Sequence, residues 1–96
     1  MTAYVIAEID VHDADLYREY AALVPATLEP YGGRFIVRGG QCETLEGGWQ
    51  PPRMVVLEFP TSERARTWYT SAGYGAALQM RQRASTGKLI LVEGAG

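Results

Sequence analysis

Arginine and tyrosine are the residues of this chain with the most to offer chemically. Arg53 opens an alternating segment that runs to Phe59, on the same parity as its apolar residues. Its stem can therefore cover core while the guanidinium reaches solvent or a pocket mouth. Arg81 shares a helical stripe with Leu78 and Ala84 and so faces inward. Two guanidiniums converging on a gap between helix and sheet would hold a carboxylate or phosphate through paired hydrogen bonds. Taken singly, each also reads as a surface arginine whose stem lies on apolar neighbours. Glu58 falls on the charged parity of that same segment, and Arg38 on the charged parity of the alternating segment before it. A half-buried carboxylate beside a guanidinium could abstract a proton, with Glu58 as the catalytic base, or anchor an anionic substrate. The alternative is an ion pair at a subunit boundary that serves architecture alone. Trp68, Tyr69 and Tyr74 surround a helix interrupted by Gly73 and Gly75. Trp68 reads as core; the hydroxyls of Tyr69 and Tyr74 sit where a cleft can open and a ligand carbonyl be oriented. That placement makes them better candidates than Tyr17 or Tyr20.

The other reactive residues offer less. His12 is the one side chain that titrates near neutrality without help, and in a turn before Asp13 it reads as a solvated residue or a cap. His12 and Cys42 are the only strong nitrogen and sulfur ligands, too few for a zinc site of the usual kinds, so no metal is expected. Cys42, being single, forms no intramolecular disulfide, packs as a small apolar residue, and makes the cytoplasm the default expectation. Neither a phosphate loop nor a dinucleotide fingerprint is present, because Gly39-Gly40 and Gly47-Gly48 lack the spacing, and no Ser–His–Asp set can be assembled.

The totals narrow the partners. A net charge of −2 without any basic run disfavours nucleic acid. The longest apolar run falls far short of a membrane span, and the first residues lack a basic leader. At 96 residues the chain predicts a single domain over 1–96, near the size at which burying a further face in an oligomer is a large gain.

These residues are positioned by an alternation of strands and helices. Ala3 to Val11 reads as a strand; Asp13 or Asp15 then caps a helix carrying Leu16, Tyr17, Tyr20, Ala21, Val24 and Leu28, with a kink or break expected at Pro25. Gly32-Gly33 ends it. Arg34 to about Leu45 is predicted as the second strand with a bulge at Gly39-Gly40, and Glu46 to Pro52 as a hairpin loop. Arg53 to Phe59 is the third strand, and Thr61 or Ser62 caps a second helix that the glycines break before it resumes through Ala84. Lys88 to Glu93 is the last strand. The order is βαββαβ, the α+β, ferredoxin-like arrangement with a four-stranded antiparallel sheet.

Parity sorts each strand into two faces. One holds Val5, Ala7, Ile9, Phe35, Val37, Val55, Leu57, Phe59, Leu89 and Leu91, all apolar, for the helices to cover. The other mixes Ile6, Ile36, Met54, Val56, Ile90 and Val92 with Glu8, Arg34, Arg38 and Glu58. An open face would be polar throughout, so a second copy laid sheet to sheet is the simplest cover, and a homodimer is expected.

Tyr31-Gly-Gly-Arg-Phe-Ile-Val-Arg-Gly-Gly40, Leu45-Glu-Gly47, Arg53-Met-Val-Val-Leu-Glu-Phe-Pro60, Ala65-Arg-Thr-Trp-Tyr69 with Ser71 and Tyr74, Leu78 to Arg83, and Val92-Glu-Gly94 together resemble domain of unknown function family 1330, nearly end to end. That resemblance implies the dimeric α+β-barrel arrangement, in which two ferredoxin-like subunits close a barrel from their sheets. Its superfamily includes cofactor-free monooxygenases, haem-binding enzymes and small-molecule isomerases. The expectation is a homodimer that takes a small anionic or carbonyl-bearing molecule in each subunit, without a cofactor and with cofactor-independent catalysis as one outcome. Arg38, Arg53 and Arg81 would supply charge, Glu58 a base, and Tyr69 and Tyr74 hydrogen bonds. Its rival is a non-catalytic dimer, a sensor or assembly module, whose charges lock the barrel.

Overall fold

The computed structural model describes residues 1–96 and contains four strands and three helices. β1 (Ala3–Val11) leads to α1 (Ala14–Leu28), a short 3-10 turn (Glu29–Tyr31) and β2 (Arg34–Arg38); β3 (Met54–Phe59), α2 (Ser62–Tyr69), α3 (Ala72–Ala84) and β4 (Ser85–Glu93) follow. The sheet is antiparallel in the order β2-β3-β1-β4. This is the ferredoxin-like α+β fold, with its second helix in two pieces.

Local chemistry sets the boundaries. Asp13 accepts from the Leu16 N–H at 3.1 Å and starts α1; Thr61 does the same for α2 through Arg64, and Ser71 for α3 through Tyr74. The break in the second helical region is therefore at Thr70-Ser71, not at the glycines. Ser71 is a better cap than helix interior, and Gly73 and Gly75 fall within α3. Pro25 lies inside an unbroken α1 rather than dividing it. The helix closes in the 3-10 turn, and Gly32, at φ 71°, takes the left-handed position there. β4 begins at Ser85, directly after α3 and three residues earlier than the sequence suggests, because all of Ser85 to Lys88 pair with β1.

The largest departure is β2. It ends at Arg38 instead of extending to Leu45, because Gly39 at φ 73° turns the chain out of the sheet. Its bulge also lies at Ile36, not at Gly39-Gly40: Phe35 pairs with Leu57, but Val37 pairs with Val56 and Arg38 with Val55. One extra residue inverts the parity of everything after it. Val37 thus moves to the uncovered face and Arg38 to the helix-covered one.

The core lies between that covered face and the helices. Val5, Ala7 and Ile9 of β1 and Leu57 and Phe59 of β3 pack against Tyr17, Tyr20, Val24 and Leu28 of α1, Ala65 and Trp68 of α2, and Tyr74, Ala77 and Ala84 of α3. Each large side chain buried this way contributes about 1.5–3 kcal/mol. On the opposite face, Val37, Val56, Ile6 and Ile90 are register partners and form an aliphatic row across all four strands.

Candidate functional site

Between the covered face and the helices is a cavity of about 30 Å³, set in a cleft whose free space with its mouth is about 490 Å³. Sixteen residues line it. Thirteen are apolar or aromatic, and the other three are Arg38, Arg53 and Arg81.

Each arginine arrives by a specific local device. The Ile36 bulge turns Arg38 inward, where its guanidinium lies 4.2 Å from the Phe35 ring centre. Its Nη2 donates to the Ala21 carbonyl at 2.9 Å. That carbonyl would ordinarily accept from residue 25 of α1, but Pro25 has no N–H to give. Arg53 precedes β3, anchored by the bond from the Ile9 N–H to its carbonyl at 2.8 Å. Its guanidinium lies 5.2 Å from the Tyr17 ring centre, within cation–π range, and presses on Gly39, where any Cβ would collide with it. Arg81 projects from α3 and is 5% exposed. Gly87 leaves room for it, since a Cβ there would come within 3.0 Å of Nη1.

These guanidiniums are short of partners. The chain's ion pairs are Arg18–Asp15, Arg34–Glu58 at 2.8 Å and Lys88–Glu8 at 4.0 Å, so no carboxylate stands within 4.0 Å of Arg38, Arg53 or Arg81. The Nε atoms of Arg53 and Arg81 are buried without a hydrogen-bond acceptor. Holding an unpaired charge away from water costs several kcal/mol, so an acceptor-rich ligand is favoured there.

The cavity's neutral polar groups are tyrosines. Tyr74 is fully buried, and its hydroxyl lies 2.9 Å from that of Tyr20. Burial, reinforced by Tyr74, pushes the Tyr20 phenol well above its ordinary range, against a smaller opposing pull from Arg81. Tyr20 therefore stays protonated, and either hydroxyl of the pair can donate to the other. Trp68 is buried, with its indole N–H committed to Thr27 at 3.0 Å.

The structure thus brings together Arg38, Arg53, Arg81 and Tyr74, and separates the other two candidates from them. Glu58 lies on the uncovered face, bonded to Arg34, and does not share a face with Arg38. The inference that it does relies on strict alternation, which the Ile36 bulge breaks. Tyr69 is 38% exposed at the end of α2, in a separate cleft with Ala65, Arg66 and Ile90. Its ring centre is 6.0 Å from that of Tyr74, but it does not line the arginine cavity. Tyr17 and Tyr20, ranked below Tyr69 on sequence, do line it. Their signal was present: with Val24 they form the inward stripe of α1. His12 is exposed in the turn before α1, and no group of three or more His, Cys, Asp or Glu side chains is placed to hold a metal ion. No helix is long and apolar enough to cross a membrane.

Solved structures share this fold at low identity. A protein of unknown function from Rhodopseudomonas palustris matches with a TM-score of 0.79 and 16% identity, over 99% of this chain and 83% of its own. A dimeric ferredoxin-like protein of unknown function from Jannaschia sp. CCS1 gives 0.74 and 12%, over 98% and 100%. SnoaB, a cofactor-independent oxygenase from Streptomyces nogalater, gives 0.68 and 12%, over 99% and 94%. Among curated proteins, no relative matches. The segments that build the cavity, from β1 through the Arg34–Arg38 strand to α3, all lie within residues 2–95, the stretch matched by the family described as domain of unknown function (DUF1330), and the chain belongs to that family.

Proposed function

We propose that this chain, a single domain over residues 1–96, binds a small anionic or carbonyl-bearing molecule in the cavity between sheet and helices. One observation carries the reading: every charged residue lining the cavity is an arginine, and none of the three has a carboxylate partner. Arg53 and Arg81 hold the ligand's oxygens, Arg38 closes the mouth, and Tyr74 with Tyr20 offers a further O–H donor. These groups are hydrogen-bond donors, and no carboxylate or imidazole lines the cavity to serve as a base. The site therefore supports binding and the stabilisation of negative charge on a ligand oxygen. It gives no support to Glu58 as the base of a reaction in this cavity.

We further infer a homodimer formed through the uncovered face of the sheet. The row Val37, Val56, Ile6 and Ile90, with Ile36 and Val92 beside it, is an apolar patch of the kind that a second copy covers. The dimeric neighbour of the same fold agrees with this. The rival reading, in which charges only lock subunits together, suits Arg34 and Glu58 on that face. It does not suit Arg38, Arg53 and Arg81, which lie on the other.

The test is a thermal-shift screen of the purified protein against small carboxylates, phosphates and quinones. An anionic hit should be lost in Arg53→Met and Arg81→Met and kept in Glu58→Gln. A screen without any hit, or hits indifferent to both arginine variants, would remove the site.

A further inference from the structure

We propose that the preferred ligand of this cavity carries a compact, doubly negative head group of the phosphate-monoester type, joined to an apolar or aromatic body. The proposal rests on the anion-binding reading above and adds the charge and shape of what is bound.

Charge comes first. Arg81 is 5% exposed and Arg53 half-buried, both have a buried Nε without an acceptor, and no carboxylate neutralises either. A monoanion between them would leave one buried positive charge uncompensated; a dianion neutralises both. Arg38 is already engaged with the Ala21 carbonyl and exposed, so it screens the mouth without requiring a third negative charge. The absence of acid from this cluster is not compositional, since the chain has 11 acidic residues against 9 basic.

Shape comes second. The cavity of about 30 Å³ admits a head group the size of roughly two water molecules. Gly39 and Gly87 leave the space that the two guanidiniums need, since a Cβ at either would press on the arginine it faces. A tetrahedral head with three free oxygens can accept from both forks and from a phenol at once. The head fills the enclosed cavity, and the body occupies the surrounding cleft of about 490 Å³, whose lining is otherwise apolar or aromatic, including Val24, Trp68 and Leu89.

The experiment compares phenyl phosphate with phenyl sulfate by calorimetric titration of the full chain. The two have the same shape, but the sulfate ester keeps one negative charge at every working pH, whereas the phosphate gains its second through a pKa of about 6. At about pH 8 phenyl phosphate should bind at least tenfold more tightly, and near pH 5.5, where only about a quarter of it is doubly charged, that advantage should shrink about fourfold. The groups facing the head are Tyr17 and Tyr20 from α1, Tyr74 and Arg81 from α3, and Arg38 and Arg53 from the sheet side. Phenyl sulfate meets the same groups at each pH, so any change in them appears with both ligands. The sulfate ester also controls for His12, which is outside the cavity. Arg81→Met and Arg53→Met should each weaken phenyl phosphate at least tenfold, so either variant suffices if the other fails to fold. Methylphosphonate and malonate separate a tetrahedral head from a dicarboxylate, and malonate binding more tightly would overturn the head group proposed. Equal affinities for the two phenyl esters at pH 8, both lost in Arg81→Met, would overturn the double charge and leave an anion site. Failure of every anion to bind would overturn both.

Discussion

Arg38 donates to the carbonyl of Ala21 at 2.9 Å, the one acceptor in α1 that Pro25 leaves without its helical donor. A proline usually read as damage to a helix here creates an attachment point for a cavity arginine. Pro25→Ala should restore the N–H and return the Ala21 carbonyl to the helix ladder. The variant should be more stable by about 1–3 kcal/mol, from relief of the interior proline. It should also bind the phosphate ester several-fold more weakly, because Arg38 loses its anchor. Denaturant melts and titrations of the same sample would show both, and unchanged affinity would mean that the attachment does not position Arg38 for the ligand.

The Tyr20–Tyr74 hydroxyl pair is buried, so deleting either oxygen strands the other. Tyr20→Phe and Tyr74→Phe should each cost about 1–2 kcal/mol. The double variant should cost less than the sum, since no unpaired hydroxyl remains. A strictly additive double-mutant cycle would show that the bond contributes nothing to stability.

Tyr20 also predicts how stability responds to alkali. Its pKa is raised in the folded state, mainly by burial and next by Tyr74. Below the ordinary phenol value of 10.0 both folded and unfolded chains hold the proton, and Tyr20 contributes no pH dependence. Above it the unfolded chain ionises and the folded one does not, so this contribution to stability falls by about 1.4 kcal/mol per pH unit. Denaturant melts from pH 9 to 11 should show a steeper decline in the native protein than in Tyr20→Phe. Parallel slopes would mean that Tyr20 ionises freely in the fold.

How legible all this was in the sequence depends on the element. The strands β1 and β3, both faces of β1, and the inward position of Arg81 followed from periodicity, because those segments keep strict period. The caps were readable to within a pair of residues, and the structure selects Asp13 over Asp15 and Thr61 over Ser62. Arg38 was misplaced because a bulge is a pairing event between two strands: nothing in Arg-Phe-Ile-Val-Arg marks Ile36 as the residue without a partner. The predicted extension of β2 to Leu45 failed for a related reason. Gly39 has two uses, a bulge in a continuing strand or a left-handed exit, and the Arg53 guanidinium stacked on it belongs to the second. Tyr69 and Tyr20 exchanged importance because helix phase was read from the glycines, whereas Ser71, as a cap, resets that phase at α3.

Those two glycines give a sharper test of the site than substitution of the arginines themselves. Gly39 has φ 73° and faces the Arg53 guanidinium; Gly87 would place a Cβ 2.9 Å from Ile9 Cδ1 and 3.0 Å from Arg81 Nη1. Gly39→Ala combines backbone strain with displacement of Arg53, and Gly87→Ala crowds Ile9 and Arg81, each at about 1–3 kcal/mol. Both should weaken anion binding by more than their loss of stability explains, because they move a charge without removing it. Gly40→Ala, where a Cβ meets nothing within 4 Å, is the control. Binding retained in Gly39→Ala and Gly87→Ala would mean that neither guanidinium needs its present position.

The uncovered face makes a prediction of opposite character. Ile90 is 58% exposed, and its register partner Ile6 continues the aliphatic row through Val56 to Val37. In an isolated subunit Ile90→Glu would be close to neutral, within about 0.5 kcal/mol, because the side chain already meets water. In a sheet-to-sheet dimer the same carboxylate would be forced into an apolar contact without a partner, at a cost of several kcal/mol. Light scattering at micromolar concentration should therefore show a dimer for the native chain and a monomer for Ile90→Glu. The cavity lies on the other side of the sheet, so its anion affinity should survive the change. Identical masses for the two proteins would show that this face is not where subunits meet.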